Sequence, residues 1–508
     1  MNRKRVWTFG VAAFSIINFG AGALIAQTLT EPRLSMTWKP LAENGEVAAI
    51  AVSETIDGAK LEAGERLSFS APVVYAAVTG VADRITDLKV SDVDGGVDLI
   101  IDEDKAAPGG MPYYRHWRAR RAVKWPVTVT YKALVQPVGS PNGPAFGIRP
   151  SGGGVSGSGG GFLLLPENAG TTKTRVEWDL SALPAGSIGV TTFGEGAFNV
   201  AGAPDAVTEG WLMAGPAQHL ELKDNSHFKA YWLGTPPFDA KAEMDWAARG
   251  YALLSQSYKY LDPAPDYRVF LRALDTPPYG GGTALGNSFM FSMAAGKPRD
   301  VLDTRVTLFH EMGHQWVGQM EGGINSNWFN EGLNVYYTTV LPMRGGLMSV
   351  TDYGNLLNQQ AKDYYTSPAR NWSADKIAEV GFGSEQIRHT PYMRGQLYFA
   401  DLDVKIRKHP HGKHTLDSFL APMFVEREKG RKVDQAWWED RLRDELGPQA
   451  VSEFRAINVD GSQTIDPASG AWGPCFERKA TSFKTDIGSV TGYQWIRRKA
   501  IPDTACHN

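Results

Sequence analysis

The residues Thr304-Arg305-Val306-Thr307-Leu308-Phe309-His310-Glu311-Met312-Gly313-His314-Gln315-Trp316-Val317-Gly318, followed after a glycine-rich turn by Trp328-Phe329-Asn330-Glu331-Gly332-Leu333-Asn334, decide how this chain is read. Their pattern predicts a helix opening near Asp303, a reasonable N-cap, and running to about Met320. Residues four apart share a helical face, so His310 and His314 can reach one ion. Glu311 is rotated off that pair, toward a water beside the ion. The chemistry needs this division: two neutral imidazoles and a third protein ligand leave zinc one open position, and a neighbouring carboxylate can move protons. Average His and Glu usage gives roughly one chance occurrence of such a pattern per hundred chains of this length. The continuation adds weight, because the turn at Gly322 to Asn327 and a second, antiparallel helix offer Glu331 as the third ligand.

Outward from these helices, apolar residues at Met244, Ala247, Tyr251, Leu254, Tyr258 and Leu261 predict a helix over 242–261. Strands are expected at Tyr267 to Leu274 and through Phe289 to Phe291, with a turn at Pro277 to Gly282 between them. Gly280-Gly281-Gly282 is not a phosphate loop, because no Lys-Ser/Thr pair follows it. Beyond Gly345 the pattern is mainly helical to about residue 457, and the remainder reads as irregular. His409-Pro410-His411 with His414 reads as a solvated loop rather than a second metal site.

The segment before residue 230 has another character, with short apolar runs punctuated by Gly, Pro, Asp and Asn that read as strands. Val123 to Tyr131 alternates at period two and so buries one face, and Pro126 on its polar set predicts an edge strand or a bulge. Ser151 to Gly161 is nearly all Gly and Ser and is expected to be a mobile loop.

At 508 residues the chain is too long for one ordinary core and implies roughly two to four domains. Its 43% hydrophobic and 21% charged residues place it among soluble globular proteins. A net charge of -3 gives no basic footprint for phosphates, which excludes nucleic acid as an expected partner. Arg3, Lys4 and Arg5 precede a mostly apolar run over residues 7–26, which reads as an export signal cleaved near Ala21 to Ala23 or as an uncleaved membrane anchor. Either way the bulk of the chain is expected outside the cytoplasm, in the periplasm or extracellular space. The two cysteines, Cys475 and Cys506, would then meet an oxidising compartment. A bridge there closes a loop of about 30 residues and stabilises the tail by roughly 3 kcal/mol in the chain-entropy model; the alternative is two unpaired thiols.

H-E-x-x-H-Q-W-x-G followed by W-x-N-E-G resembles the gluzincin metallopeptidases, specifically the aminopeptidase N-like and glycyl aminopeptidase families. The resemblance implies one Zn2+ per chain held by His310, His314 and Glu331, with Glu311 as general base and a peptide or protein as substrate. Sixteen residues, 315 to 330, separate the second His from Glu331, a shorter connection than is usual in the family. Pro391-Tyr392-Met393-Arg394-Gly395 is similar to the family's P-Y-E-K-G segment, which implies that Tyr392 donates to the oxyanion. Gly161 to Glu167 resembles a run of the glycyl aminopeptidases in their β domain. Relatives that trim N-termini carry a glutamate in a strand reading G-x-M-E-N or G-G-L-E-H. Aligned on Gly281, Gly282 and Asn287, this chain has Ala284 in that place.

The implied fold is multidomain: an N-terminal all-β domain (34–230) after the leader or anchor (1–33), then a thermolysin-like α+β zinc peptidase domain with its zinc-helix part (231–345) and helical C-terminal part (346–457), and a tail (458–508). Its implied activity is zinc-dependent peptide hydrolysis without the usual N-terminus-binding glutamate. Three alternatives stand beside it: an aminopeptidase that anchors the amine elsewhere, a zinc hydrolase of a non-peptide bond such as an epoxide, and a non-catalytic peptide-binding protein.

Overall fold

Period-two alternation materialises as the strand Val127–Leu134, whose Val127, Val129, Tyr131 and Ala133 are buried. Of the two positions expected from Pro126, the edge is not found, whereas a bulge is: the neighbouring strand Ile85–Asp92 shifts register between Thr86 and Lys89. Val127–Leu134 runs inside its sheet, between Glu46–Ile56 and Ile85–Asp92, and the proline precedes the first paired residue, where no ladder donor is needed. The computed structural model describes residues 34–57, 61–220, 222, 227–258, 263–318, 320–409, 414–485 and 488–506. The described chain forms two compact units, one of residues 34–248 and 265–304 and one of residues 249–264 and 305–506.

In the first unit, strands Phe198–Ala201, Lys173–Trp178, Leu34–Glu43, Glu46–Ile56, Val127–Leu134, Ile85–Asp92 and Gly95–Gly96 make one sheet in that order. Two smaller antiparallel sheets accompany it, and the three share an apolar core that includes Trp38, Phe69, Val129, Phe162 and Leu212. The Gly/Ser stretch is not the mobile loop its composition predicts. It forms the antiparallel pair Arg149–Ser151 and Gly154–Ser158, followed by a buried turn at Gly159–Gly161. Its glycines are there for space: an added Cβ would stand 2.4 Å from the Ala214 carbonyl at Gly154, 2.9 Å from Ile148 Cα at Gly157 and 2.2 Å from the Phe146 carbonyl at Gly161. Backbone packed against backbone offsets the ordering entropy that side-chain burial cannot.

A five-stranded mixed sheet completes this unit, in the order Gln218–His219, Phe228–Leu233, Tyr267–Leu274, Ser288–Ala294 and Gly282–Leu285. Tyr267–Leu274 pairs in parallel with both neighbours, whereas Gly282–Leu285 runs antiparallel to Ser288–Ala294 and forms an edge. Buried Arg272 donates to the carbonyls of Ala145, Gly147 and Ser156, tying the mixed sheet to the glycine-rich strands.

Helices dominate the second unit. With α1 (Ala240–Tyr258) and α2 (Val301–Gly313), whose N-terminal turns belong to the first unit, it contains α3 (Asn327–Asn330), α4 (Gly332–Arg344), α5 (Val350–Thr366), α6 (Ala374–Val380), α7 (Glu385–Arg388), α8 (Thr390–Lys408), α9 (Leu416–Glu428), α10 (Gln435–Leu446) and α11 (Pro448–Phe454). Its centre is aromatic: the Trp328 ring lies 4.6 Å from Phe454, 5.6 Å from Trp438 and 6.0 Å from Phe399. The tail corrects another expectation, being a hairpin of strands Phe476–Thr485 and Gly488–Arg497 rather than irregular chain. It lies on α5, where Asn358 exchanges two hydrogen bonds with the Trp495 backbone and Tyr365 stacks on Phe483. No helix among the described residues is long and apolar enough to cross a membrane, and the apolar run over residues 7–26 lies outside them.

One ionisable group is sealed in the large sheet. Glu54 is fully buried, takes a hydrogen bond from Tyr131 Oη at 3.3 Å, and burial raises its pKa from 4.5 to about 8. It therefore keeps its proton when folded. Below about pH 4.5 folded and unfolded chains both hold that proton; as pH rises toward about 8 only the folded chain does, and stability is lost at about 1.4 kcal/mol per pH unit. Glu54→Gln should abolish this loss, so denaturant titrations of variant and parent should diverge in the variant's favour by a few kcal/mol between pH 5 and 8. A constant difference over that range would show that Glu54 is not protonated in the fold.

Candidate metal centre

The first helix of the motif is capped one residue earlier than α2 begins. Asp300, not Asp303, is the cap: its Oδ1 accepts the Asp303 N–H at 3.1 Å and its carbonyl the Thr304 N–H at 3.0 Å. Leu308, Phe309 and Met312 bury one face of α2. The helix closes at Gly313 rather than near Met320, and His314 sits in the following turn, where the Trp316 and Val317 N–H groups both donate to the Gly313 carbonyl.

Contacts with α4 explain the early stop. A Cβ at Gly313 would lie 2.2 Å from Asn334 Oδ1, and Asn334 Nδ2 donates to the His310 carbonyl at 2.7 Å. This dock sets the two histidines against the start of α4, where Glu331 occupies the joint between α3 and α4. Asn330 takes the Met320 N–H on Oδ1 and returns Nδ2 to the Met320 carbonyl, closing the last ten residues of the shortened connection into a loop. The other side of the joint rests on α8. An added Cβ would meet Gly395 Cα at 2.6 Å from Gly332, and the Trp328 carbonyl at 2.0 Å from Gly395.

The result is one converging cluster. Glu331 Oε2 lies 3.2 Å from His310 Nε2 and 3.3 Å from His314 Nε2, and one ligand atom from each residue falls within 4.8 Å of the others. Side-chain exposures of 15%, 21% and 20% leave the three reachable from one side only. Ligands about 2.0–2.1 Å from a tetrahedral zinc are about 3.3 Å apart, so the donor set and both measured spacings fit zinc. The electrostatics agree. Burial alone would raise the Glu331 carboxyl, but the two imidazoles outweigh it and hold the group well below its usual range. Burial alone would lower His314, but facing Glu331 lifts it to about 9. A carboxylate kept anionic beside an imidazole that retains a cation is a site that binds positive charge. It is the only such group of three or more His, Cys, Asp or Glu among the described residues.

Glu311 is nearly buried, and its charge acts on both His314 and Tyr392. Tyr392, in the first turn of α8, stacks on His310 with ring centroids 6.3 Å apart. Burial first, then the carboxylates of Glu331 and Glu311, raise its pKa far above the usual range, so its hydroxyl is a proton-bearing donor at any physiological pH. Cys475 and Cys506 are joined in a disulfide. Gly281, Gly282, Ala284 and Asn287 belong to the other unit, on and beside the edge strand, with Ala284 opposite Phe289 and Asn287 at positive φ in the hairpin turn. His409 and His414 join no metal group, and His411 lies outside the described residues.

Four residues that shape the site are given no role of their own in the sequence reading: Asn330, Asn334 and Gly395, which it quotes only as motif letters, and Arg388. Asn334 had a signal, since a polar residue three positions after Glu331 falls on the face turned to the metal helix. Arg388 had a weaker one, four positions before Tyr392.

Residues 304–386 match the family model described as M61 glycyl aminopeptidase, a segment that includes the two histidines, Glu311 and Glu331 and stops before Tyr392. Among solved structures the chain is similar to an aminopeptidase N family protein from Idiomarina loihiensis (15% identity, 88% of this chain and 79% of that one, TM-score 0.67). It is also similar to an M1 zinc metallopeptidase from Deinococcus radiodurans (16% identity, 86% and 93% covered, TM-score 0.51). A third is yeast LTA4 hydrolase in complex with bestatin (11% identity, 88% and 72% covered, TM-score 0.51). No curated protein sequence matches. At these identities the structural likeness speaks for the fold, an N-terminal all-β part followed by a helical C-terminal part, while the family model speaks for a glycyl aminopeptidase segment. The gluzincin resemblance is borne out over residues 304–386, which match a glycyl aminopeptidase model, that of a hydrolase.

Metal analysis checks the centre directly. The purified chain should carry about one zinc, and Glu331→Gln, which removes the shared carboxylate, should drop the content to a small fraction of that under the same dialysis. Full retention of zinc by the variant would remove Glu331 from the ligand set.

Proposed function

We propose that this chain is a zinc-dependent metallopeptidase that hydrolyses peptide bonds with His310, His314 and Glu331 as the metal ligands. The observation that carries the reading is the approach of His310 Nε2 and His314 Nε2 to one oxygen of Glu331, with Glu311 and Tyr392 beside the cluster. When bound, zinc supplies a Lewis acid and an activated water. Glu311 is the carboxylate that would take a proton from the attacking water and return it to the departing amine, a general base turned general acid. Tyr392 donates its hydrogen to the carbonyl oxygen as charge develops there. Glu331 and the two imidazoles, neutral when they ligate, leave the centre with a net positive charge that favours this anionic transition state.

The same reading extends to the substrate. An extended peptide can add to the free edge of Gly282–Leu285 through main-chain groups, which tolerates the side chains present. Ala284, where N-terminus-trimming relatives carry glutamate, offers no partner to an ammonium, and a buried ammonium without one is costly. A broadened or endo-acting peptidase follows, in preference to an aminopeptidase that anchors the amine elsewhere. Arg3, Lys4, Arg5 and the apolar run after them, together with the Cys475–Cys506 disulfide, support an exported chain working in an oxidising compartment, released by cleavage or held by its N-terminus.

Glu311→Gln separates chemistry from metal binding: zinc content should stay near that of the parent while turnover falls by at least about 10². Near-normal hydrolysis by the variant would show that Glu311 is not the base. The mode of cleavage is read from matched peptides with free and acetylated N-termini. Comparable kcat/KM for the two is expected, and loss of cleavage on acetylation would overturn the endopeptidase reading.

A further inference from the structure

Immediately before α8, the short helix α7 ends on a guanidinium that the proposed mechanism has not used. Arg388 Nη1 donates to Tyr392 Oη at 2.9 Å, across one helical turn. Its Nη2 donates to Glu385 Oε2 at 2.7 Å and lies 3.0 Å from His389 Nε2. The guanidinium carbon stands 5.3 Å from the Phe382 ring centroid, and the side chain is 19% exposed. Glu385 on one arm and the aromatic face of Phe382 thus fix the fork, and the other arm is aimed at the phenol oxygen.

The direction of this hydrogen bond has a chemical consequence. A guanidinium in a protein has donors and no acceptor, whereas a phenol has one hydrogen and lone pairs on the same oxygen. Tyr392 Oη must therefore accept from Arg388, and its single hydrogen cannot be spent on that bond. The remaining direction is the one available to a substrate carbonyl. A fixed positive charge on the accepting side also polarises the O–H bond, so its donation strengthens as the carbonyl oxygen gains charge.

We infer that Arg388 is a positioning residue, which holds and polarises Tyr392 so that the tyrosine hydrogen is presented to the developing oxyanion. The inference rests on the proposed role of Tyr392 and adds a residue that acts only through it. It is distinct from a role in which Arg388 binds an acidic group of the substrate, because that role would appear in KM and would survive removal of the Tyr392 hydroxyl.

The test is a double-mutant cycle on the zinc-loaded full chain with an internally quenched peptide, comparing Arg388→Met, Arg388→Lys, Tyr392→Phe and the double variant. Tyr392→Phe should lower kcat by about 10²-fold or more, as for loss of an oxyanion donor. Arg388→Met should lower kcat about tenfold with little change in KM, the cost of losing one charged hydrogen bond. In the Tyr392→Phe background Arg388→Met should cost almost nothing more, and Arg388→Lys should recover part of the single-variant loss. A readout independent of turnover is the NMR shift of the Tyr392 ring carbon bearing the hydroxyl, assigned by its disappearance in Tyr392→Phe. It should move in Arg388→Met at unchanged zinc content. Losses that multiply, a change confined to KM, or an unmoved resonance would each overturn the inference. Should Arg388→Met not fold, Glu385→Ala, which removes the acceptor of the outer arm of the fork, should give a smaller kcat loss that likewise vanishes in the Tyr392→Phe background. If Tyr392→Phe itself retains full kcat, the role of Tyr392 fails, a result distinguishable from independent losses in the two variants.

Discussion

The close approach of α4 and α8 is the constraint on which the site depends. Gly332 and Gly395 let two helix backbones come together where a methyl group on either would have to displace main-chain atoms. Glu331 precedes Gly332 and Tyr392 lies three residues before Gly395, so the crossing point fixes the proposed ligand carboxylate and a hydroxyl from two helices at once. Side-chain packing could not hold that spacing as tightly, because side chains give by rotation whereas a backbone contact does not. The second dock, Gly313 against Asn334, repeats the device between α2 and α4 and brings in the histidines.

Around this frame the charges are arranged in a short sequence of dependencies. Glu331 faces the two imidazoles, burial and then the carboxylates of Glu331 and Glu311 keep the Tyr392 hydroxyl protonated, and Arg388 donates to that hydroxyl. Each partner is held by a neighbour that is not itself reactive: Asn334 on the His310 carbonyl, Asn330 on the Met320 backbone, Glu385 on Arg388. Pre-organisation of this kind removes reorganisation from the chemical step, which is where much of an enzyme's rate advantage lies.

Much of this was legible because helical spacing converts sequence into geometry directly. His310 and His314 needed only their spacing of four to be read as one face, and Glu331 needed in addition the turn before it and the family resemblance. The alternation at Val127 to Tyr131 and the strand Tyr267–Leu274 were readable for the corresponding reason in sheets. Where the reading failed, composition had replaced geometry. Ser151 to Gly161 looked like a mobile loop because glycine was weighed for its entropy and not for the space it gives, and of the edge or bulge read from Pro126 the edge fails because its own strand begins one residue later. The tail hairpin escaped notice because its strands show no period-two apolar alternation, with Glu477, Arg478 and Lys479 in a row, and its order comes from α5, which local sequence does not encode. Asn334 and Gly395 were invisible for a related reason, since what they do is defined by the helix opposite.

The glycine-rich strands have a practical consequence for anyone who cuts or extends this chain. A run such as Gly152-Gly153-Gly154 ordinarily invites insertion of a tag, a protease site or a permuted terminus. Here Gly152 would bring an added Cβ to 2.3 Å from the Gly234 nitrogen, and Gly154 and Gly161 are each pressed against a carbonyl. The least side-chain-rich stretch of the chain is therefore among its least permissive, and a search for tolerated junctions belongs elsewhere, at turns such as Gly45 or Gly186, where an added Cβ meets nothing within 4 Å.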